Sequence, residues 1–376
     1  MGINAIFNPH NWAVVPFHFW SLCFFVLGCI VGSFLNVCIY RLPTGMSIVT
    51  PRSHCPHCKY SIPWYLNVPL VTWLALRGRC KNCGVPISFR YFVVELLTGV
   101  VFLSCWLVFG AKSPWLAIVY AIFLSGLIVA TFIDFEHFII PDEITLGGMA
   151  VGLVASFALP LLQGANTLTV GIARSFVGAL VGVAVVYAIL RLGKWLFGRQ
   201  RLKWPKASKI VFGESSLHLP DKEIPYDDLF YRKSDTIVLH ARTVELVDRG
   251  YENVILRLAL RAGVLEIHQE DREAEKLDPE GIQHLEAVGT EIVLPREAMG
   301  LGDVKFMGAI GAFIGWPGVI FSLMLSSMIG AAVGVTLIAL RRREWSSRMP
   351  YGPYIALAAA IWIFGGKKLV PWLLGM

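Results

Sequence analysis

Residues 115–134 read WLAIVYAIFLSGLIVATFID, nineteen uncharged positions closed by Asp134. About 20 consecutive apolar residues let a helix cross a bilayer. A carboxylate at the end of such a run is costly and needs a reason to be there. Working outward, comparable runs lie at about 16–38, 92–110, 143–163, 168–191, 318–340 and 352–374. An eighth, Val304–Trp316, is short and either crosses or re-enters. The loop Tyr40–Arg90 carries seven Lys/Arg, and Arg341, Arg342, Arg343 and Arg348 form a second basic cluster. Basic loops stay in the cytoplasm. Both clusters face that side only if Val304–Trp316 crosses, so about eight transmembrane helices are expected, with both termini outside. Lys367 and Lys368 count mildly against this.

Composition agrees. The 376 residues are 56% hydrophobic and 16% charged, with a mean hydropathy of +0.62. A soluble protein is nearer a quarter charged. The segment Arg199–Met299 holds 15 Lys/Arg and 19 Asp/Glu, whereas all other positions together carry 18 basic and seven acidic residues. The net +7 therefore divides into −4 in that segment and +11 elsewhere. This is the pattern of a polytopic α-helical membrane protein with one water-soluble insert, and its basic excess belongs to membrane loops before nucleic acid. No Lys or Arg precedes Arg41, so the charged start of a secretory signal is missing and the first run is expected to remain as an anchor. Within the insert, Leu256, Leu258 and Leu260 alternate with Arg257, Ala259 and Arg261. After Ala262-Gly263, Leu265 and Ile267 alternate with Glu266 and His268. That predicts a hairpin in a β-rich unit. Glu270–Leu285 reads as a short helix or a linker. The expected organisation is a first span over 1–39, a cytoplasmic loop domain over 40–91 and four spans over 92–198. A cytoplasmic insert follows over 199–299, and the last three spans occupy 300–376.

Four of the eight cysteines lie in the polar loop as Cys55-Pro-His-Cys58 and Cys80-Lys-Asn-Cys83, separated by 21 residues. Two knuckles of this kind complete a tetrahedral four-thiolate zinc site. In a reducing cytoplasm disulfides are disfavoured, and one redox pair would not explain two knuckles. A closed site has no open coordination position, so zinc is expected to fold the loop rather than to catalyse. His57 is read as a bystander. Cys23, Cys29, Cys38 and Cys105 sit in apolar runs and read as small packing residues.

The topology brings two acids from distant sequence to one membrane face. Asp134 ends the third span, and Asp303, in Gly300-Leu-Gly302-Asp303-Val-Lys305, begins the sixth. Adjacent carboxylates share one proton. One then activates water while the other protonates a scissile carbonyl oxygen, which is aspartic peptidase chemistry. Gly300 and Gly302 let backbone approach a substrate chain. Each acid also has a plainer reading. Asp142, after Pro141, suits a helix cap. Glu136 and His137 suit solvation at the interface, and Asp303 suits a cap with Lys305 snorkelling. A proton-coupled transporter could use the same acids, and a zinc-loop assembly scaffold would need no catalysis at all.

At these residues the chain resembles the type IV prepilin peptidases, the bifunctional leader peptidase/N-methyltransferases of pilus and type II secretion systems, which are GxGD-type membrane aspartic peptidases. The blocks run in order. Gly32-Ser-Phe-Leu-Asn36-Val-Cys-Ile-Tyr-Arg41-Leu-Pro43 comes first, then the cysteine tetrad, Arg90-Tyr-Phe-Val-Val-Glu95-Leu-Leu97 and Ile133-Asp134…Pro141-Asp142. The Gly-x-Gly-Asp block ending at Lys305 and Pro350-Tyr-Gly-Pro353 complete the set. The resemblance implies that Asp134 and Asp303 are the catalytic pair, with Asp142, Lys305, Gly300 and Gly302 in support. It implies cleavage of a short basic leader from prepilins or pseudopilins at the cytoplasmic face of the bacterial inner membrane. Methylation of the new N-terminus with S-adenosylmethionine would follow, associated with the loop over 40–91. Asn36, Arg41 and Glu95 match family positions, and Asn36 and Glu95 also read plainly as packing or interfacial capping. No glycine-rich fingerprint marks where the cofactor binds. The insert departs from the family pattern. It is expected to restrict access, to contact pilus or secretion assembly components, or to do little.

Overall fold

The structure, a computed structural model, describes residues 16–197, 199–226, 229–230, 235–246, 249–269, 274–279, 285–295, 300–340 and 349–366. The chain forms two compact units, Met1–Tyr187 with Gly300–Met376, and Ala188–Met299. The first unit is helical: α1 Phe17–Arg41, a short α2 Val71–Ala75, α3 Phe89–Cys105, α4 Pro114–His137, α5 Asp142–Ala158, α6 Leu168–Phe197, α7 Leu301–Ala339 and α8 Gly352–Ile361. A π-turn, Trp106–Gly110, prolongs α3, and Trp362–Gly366 prolongs α8. Among the described residues five helices, α1, α3 with its π-turn, α4, α6 and α7, are long and apolar enough to cross a membrane. The protein is thus a multi-pass membrane protein with a separate sheet unit. The run expected at 143–163 is helical only to Ala158, because Pro160 opens a 3-10 turn. Arg341–Arg348, Lys367 and Lys368, which bore on the span count, lie outside the described residues.

Small residues set the helix crossings, as they do where lipid supplies no hydrophobic drive between helices. A Cβ at Gly28 would lie 2.7 Å from Thr98 O, and one at Gly32 2.7 Å from Glu95 Cα, so α1 and α3 touch backbone to backbone. Gly178 and Gly311 do the same for α6 and α7, where a Cβ on either would overlap the other's carbonyl.

The 39 residues of α7 do not form one rod. Gly315 has φ 73° and ψ 173°, a conformation open essentially to glycine alone. Pro317 has no N–H, so Phe313 O loses its partner in the helix. The chain turns back there. Gly318 packs against Trp362, Gly330 packs against Tyr351 and Tyr354, and Asp303 lies at the Gly352 end near Asp134. Residues 303 and 330 can share that end only if α7 is a hairpin of two antiparallel arms. Polar side chains take up the freed carbonyls. Ser175 Oγ (2.7 Å), Gln163 Nε2 (2.8 Å) and Ser156 Oγ (3.4 Å) donate to Ala312 O, and Gln163 Nε2 also donates to Phe313 O at 3.2 Å.

Among its described residues the second unit is one antiparallel sheet of eight strands: β1 Arg199–Phe212, β2 Ser216–His218, β3 Glu223–Pro225, β4 Ile237–Leu246, β5 Gly250–Ala259, β6 Val264–Gln269, β7 Glu275–Leu277 and β8 Leu285–Pro295. Their order is β3-β2-β1-β8-β4-β5-β6-β7. Period-two patterning buries one face, with Leu239, Leu256, Leu265, Ile292 and Leu294 in its core. Outward-facing cross-strand pairs include Lys203–Glu291 at 3.1 Å and Lys209–Glu286 at 2.6 Å. The β1–β8 register shifts between Lys203 and Ser208, where Pro205 cannot donate to the ladder. The expected hairpin is present, with Leu256 opposite Ile267 and Leu258 opposite Leu265. Leu260 does not continue β5. It enters the turn Leu260–Ala262, which closes on Gly263 at φ 65°. The expected helix or linker at Glu270–Leu285 needs correction as well. Glu275–Leu277 pairs with β6 and is strand, Leu285 opens β8, and 270–273 and 280–284 lie outside the described residues.

Candidate active site and thiolate centre

Asp134 stands on the last turn of α4, a helix capped at its start by Ser113 Oγ and ended by Phe138 in the left-handed region. Only 5% of Asp134 is exposed. Its Oδ2 accepts a 2.8 Å hydrogen bond from the backbone N–H of Gly352, the first residue of α8. A glycine is required here, because a Cβ at 352 would come within 2.8 Å of that same oxygen. Asp303 lies in the first turn of α7, half-buried, and its Oδ2 accepts from Gly300 N–H at 3.2 Å. That is the reach-back of a capping box, so the plain reading of Asp303 as a cap holds in part. The cap leaves its other oxygen without a hydrogen-bond partner among the described residues. The chain through Gly302 runs beside Ile140, which also borders Gly352, and this seats Asp303 close enough to Asp134 for their charges to interact.

The neighbouring charges differ from expectation. Asp142 caps nothing with its side chain. It pairs with Lys305 Nζ at 2.7 and 2.9 Å, which also replaces the expected snorkelling of Lys305. Glu136 pairs with Arg90 rather than standing merely solvated. Tyr351, whose neighbour supplies the Asp134 hydrogen bond, receives or gives 2.9 Å bonds at Ser326 and Ser327 Oγ. Ser326, Ser327 and Gln163 carry no motif, and sequence reasoning passed over them.

The thiolate centre consists of two copies of one turn. Lys59 N–H donates to Cys55 O and Gly84 N–H to Cys80 O, each at 2.9 Å. Lys59 and Gly84 both have positive φ, at 57° and 72°. Cys55 N–H donates to Tyr60 O, and Cys80 N–H donates to Val85 O. The bridges His54–Ser61 and Arg79–Pro86 fall at the same offsets from each pair. The four Sγ atoms lie within 4.8 Å of one another, with Cys55–Cys83 at 3.9 Å and Cys58–Cys80 at 4.0 Å. A tetrahedron built on 2.3 Å metal–sulfur bonds has edges of about 3.8 Å, so this arrangement fits a metal ion. The thiols are already polarised. Cys58 is lowered to about 6, first by the Asn82 side-chain amide and then by Tyr60. Cys80 is also lowered, chiefly by hydrogen bonds from the backbone of Cys83 and Asn82. Cys83 is pushed up to about 12, since desolvation and the neighbouring sulfurs outweigh a favourable Val85 N–H.

Between this loop, α1 and α3 lies a cavity of about 420 Å³, lined among others by Ser33, Asn36, Arg41, Trp73 and Glu95. Arg41 is buried and clamps the loop through Ser47 O (2.8 Å) and Pro51 O (2.7 Å). Glu95 Oε2 accepts from Leu70 N–H at 2.7 Å, across a turn with Leu70 at φ 61°. Asn36 Nδ2 donates to Gly32 O and Tyr91 O. The expected packing roles of Asn36 and Glu95 are therefore present, alongside their place on the cavity wall.

Comparisons with known proteins follow the same division. Residues 26–109 match the Bacterial Peptidase A24 N-terminal domain, and residues 121–201 with 277–335 match the Type IV leader peptidase family. The unmatched middle falls within the sheet unit. A prepilin leader peptidase/N-methyltransferase of Myxococcus xanthus is 44% identical over 173 residues, 46% of this chain and 47% of that one. One of Aeromonas hydrophila is 26% identical over 96% of this chain and 95% of its own. A type 4 prepilin-like proteins leader peptide-processing enzyme of Escherichia coli is 39% identical over 46% of this chain and 65% of its own. No solved structure matches. The chain therefore belongs to the type IV leader peptidase family of membrane aspartic endopeptidases.

Proposed function

We infer that the protein removes the short basic leader of prepilins or pseudopilins and then methylates the new N-terminus, with Asp134 and Asp303 as the peptidase pair. The observation that carries this is that two acids separated in sequence by the whole sheet unit come close enough for their charges to interact, one of them buried and held by Gly352 N–H. A pair of this kind shares one proton. The ionised member takes a proton from water as it attacks the scissile carbonyl, and the protonated member donates to the carbonyl oxygen. The proton then passes to the leaving nitrogen, which restores the pair. Clustering of the acids where two helix ends come together favours this enzyme over a transporter, whose acids would be spread along several spans.

The reading places both aspartates, the thiolate loop and the sheet unit on the cytoplasmic side of the inner membrane, with about eight crossings, the two arms of α7 counting as two. Zinc is the ion proposed for Cys55, Cys58, Cys80 and Cys83. It would close the loop and leave no position for substrate. S-adenosylmethionine is the proposed methyl donor and supplies an electrophilic methyl group. Its fit to the chain rests on the cavity of about 420 Å³ and the polar side chains among its lining residues, Ser33, Asn36, Trp73 and Glu95.

The test is incubation of detergent-purified protein with prepilins, followed by mass analysis of their N-termini. Asp134→Asn and Asp303→Asn should each abolish leader removal while metal content is kept. Substantial turnover by either variant sinks the dyad.

A further inference from the structure

The cavity beside the thiolate loop contains an arrangement that packing does not account for. Asn36 is 1% exposed, and its amide orientation is fixed because Nδ2 donates to two carbonyls. Oδ1 is left buried with no partner among the described residues, and so is Trp73 Nε1. Buried polar groups left unpaired are costly, and both of these side chains belong to residues that line the cavity, so packing alone does not account for their polarity. The volume of about 420 Å³ is that of a small-molecule site.

Glu95 completes the pattern. It is 8% exposed and held by Leu70 N–H and by the Ser33 side chain, and among the described residues no Lys or Arg neutralises it. A carboxylate has about four lone-pair sites, so these two bonds leave capacity. A buried carboxylate without a cation is costly unless a cation arrives with the ligand. A pilin freed of its leader presents such a cation, its new N-terminal ammonium.

We propose that this cavity is the methyl-transfer chamber and that Glu95 takes the proton from the N-terminal ammonium of the cleaved substrate. The inference rests on the methyl transfer proposed above. Glu95 accepts one N–H proton and leaves a neutral amine. The nitrogen lone pair forms the new N–C bond to the donor's methyl group, while the S–C electron pair stays on sulfur as a thioether. The positive charge passes from sulfonium to the secondary ammonium, so atoms and charge balance. Gly32, against Glu95 Cα, fixes the height of that carboxylate on the α1–α3 contact.

The experiment uses the full-length protein in detergent, with a synthetic peptide bearing the mature pilin N-terminus. S-adenosylmethionine and S-adenosylhomocysteine affinities are measured by calorimetry, and methylation is followed from about pH 6 to 10. Glu95→Gln retains an acceptor for Leu70 N–H, and metal content and melting temperature report on its fold. The expected result is unchanged affinity for both cofactor forms and a rate about 100-fold lower at neutral pH. That rate should climb about tenfold per pH unit until the amine deprotonates itself near pH 8. Asn36→Leu should weaken binding of both cofactor forms about tenfold by replacing a polar lining residue with an apolar one. If Glu95→Gln weakens only S-adenosylmethionine, the carboxylate faces the sulfonium and the proton-acceptor role is overturned. A Glu95→Gln rate and pH profile equal to the unsubstituted protein's overturn it too. An unsubstituted protein that leaves the peptide unmethylated overturns the underlying methyl transfer instead.

Discussion

A methyl group at position 352 would press on Asp134 Oδ2, and the N–H that holds this oxygen would have to move with it. Gly352→Ala should therefore lower leader cleavage on the order of 100-fold, the usual cost of displacing a reacting group by about 1 Å. Metal content should be untouched. Initial rates against one prepilin, read with the metal content, check both halves. Lys305→Met gives the contrast. Its pair with Asp142 is exposed, and exposed ion pairs contribute about 0–1 kcal/mol, so cleavage should fall less than about fivefold. A Lys305 variant as damaged as Gly352→Ala would put the ion pair inside the chemistry. The contrast also shows what a sequence can disclose. Asp134 and Asp303 stand out because acids are rare in apolar runs. The role of Asp142 was misread because its partner lies across the sheet unit in sequence, and no local pattern points to Lys305. Glu136 is a similar case, paired with Arg90 on another helix.

The thiolate loop and the α7 hairpin fare differently at the scale of elements. Cysteine spacing alone announced the loop, because two short knuckles have few other uses. Its prediction concerns acid. The Cys58 thiol, ordinarily near 9, is lowered to about 6 in the fold. A depressed thiol stabilises the fold fully above its unfolded value, and this contribution is lost as pH falls through the folded one. Protons compete with the ion for the four thiolates, so metal should be retained at neutral pH and released as the solution is made acid, one ion per chain. Cys58→Ser should remove it at every pH. Titration with a chromogenic chelator measures this, and a metal-free protein with intact Cys55–Cys58 or Cys80–Cys83 disulfides would refute the site. The α7 hairpin was legible only as two apolar runs, Val304–Trp316 and 318–340, because nothing local in sequence gives the angle between them. What holds the reversal is Gln163, from a turn far away in sequence, donating to Ala312 O and Phe313 O. Gln163→Leu leaves these carbonyls short of donors and should cost about 1–3 kcal/mol. It should lower the melting temperature in detergent and, by loosening the arm that bears Asp303, leader cleavage as well. An unchanged melting curve would mean that Ser156 and Ser175 suffice.

At the scale of the whole molecule, the question is why an insert of about a hundred residues between the two aspartates is tolerated. The answer lies in its own topology. Its first strand and its last are direct neighbours, with Arg199 paired to Pro295 and Leu202 to Ile292. The chain therefore leaves α6 and returns towards α7 at nearly one point, antiparallel strands lying about 5 Å apart. An insertion with adjoining ends imposes no spacing on the helices it interrupts. The sheet also carries its own core, so it need not lean on its host to fold. Replacing residues 199–295 by a short glycine-serine linker should leave metal content intact and preserve leader cleavage within a few-fold, since neither aspartate, nor Gly352, nor the thiolate loop belongs to the excised part. Cleavage of several prepilins by the shortened protein, compared at equal metal content, measures this. A loss confined to some prepilins would assign the sheet to substrate choice. A loss for all of them, with the helical unit still folded, would mean that the sheet unit is part of the catalytic machinery and that the aspartate pair does not suffice.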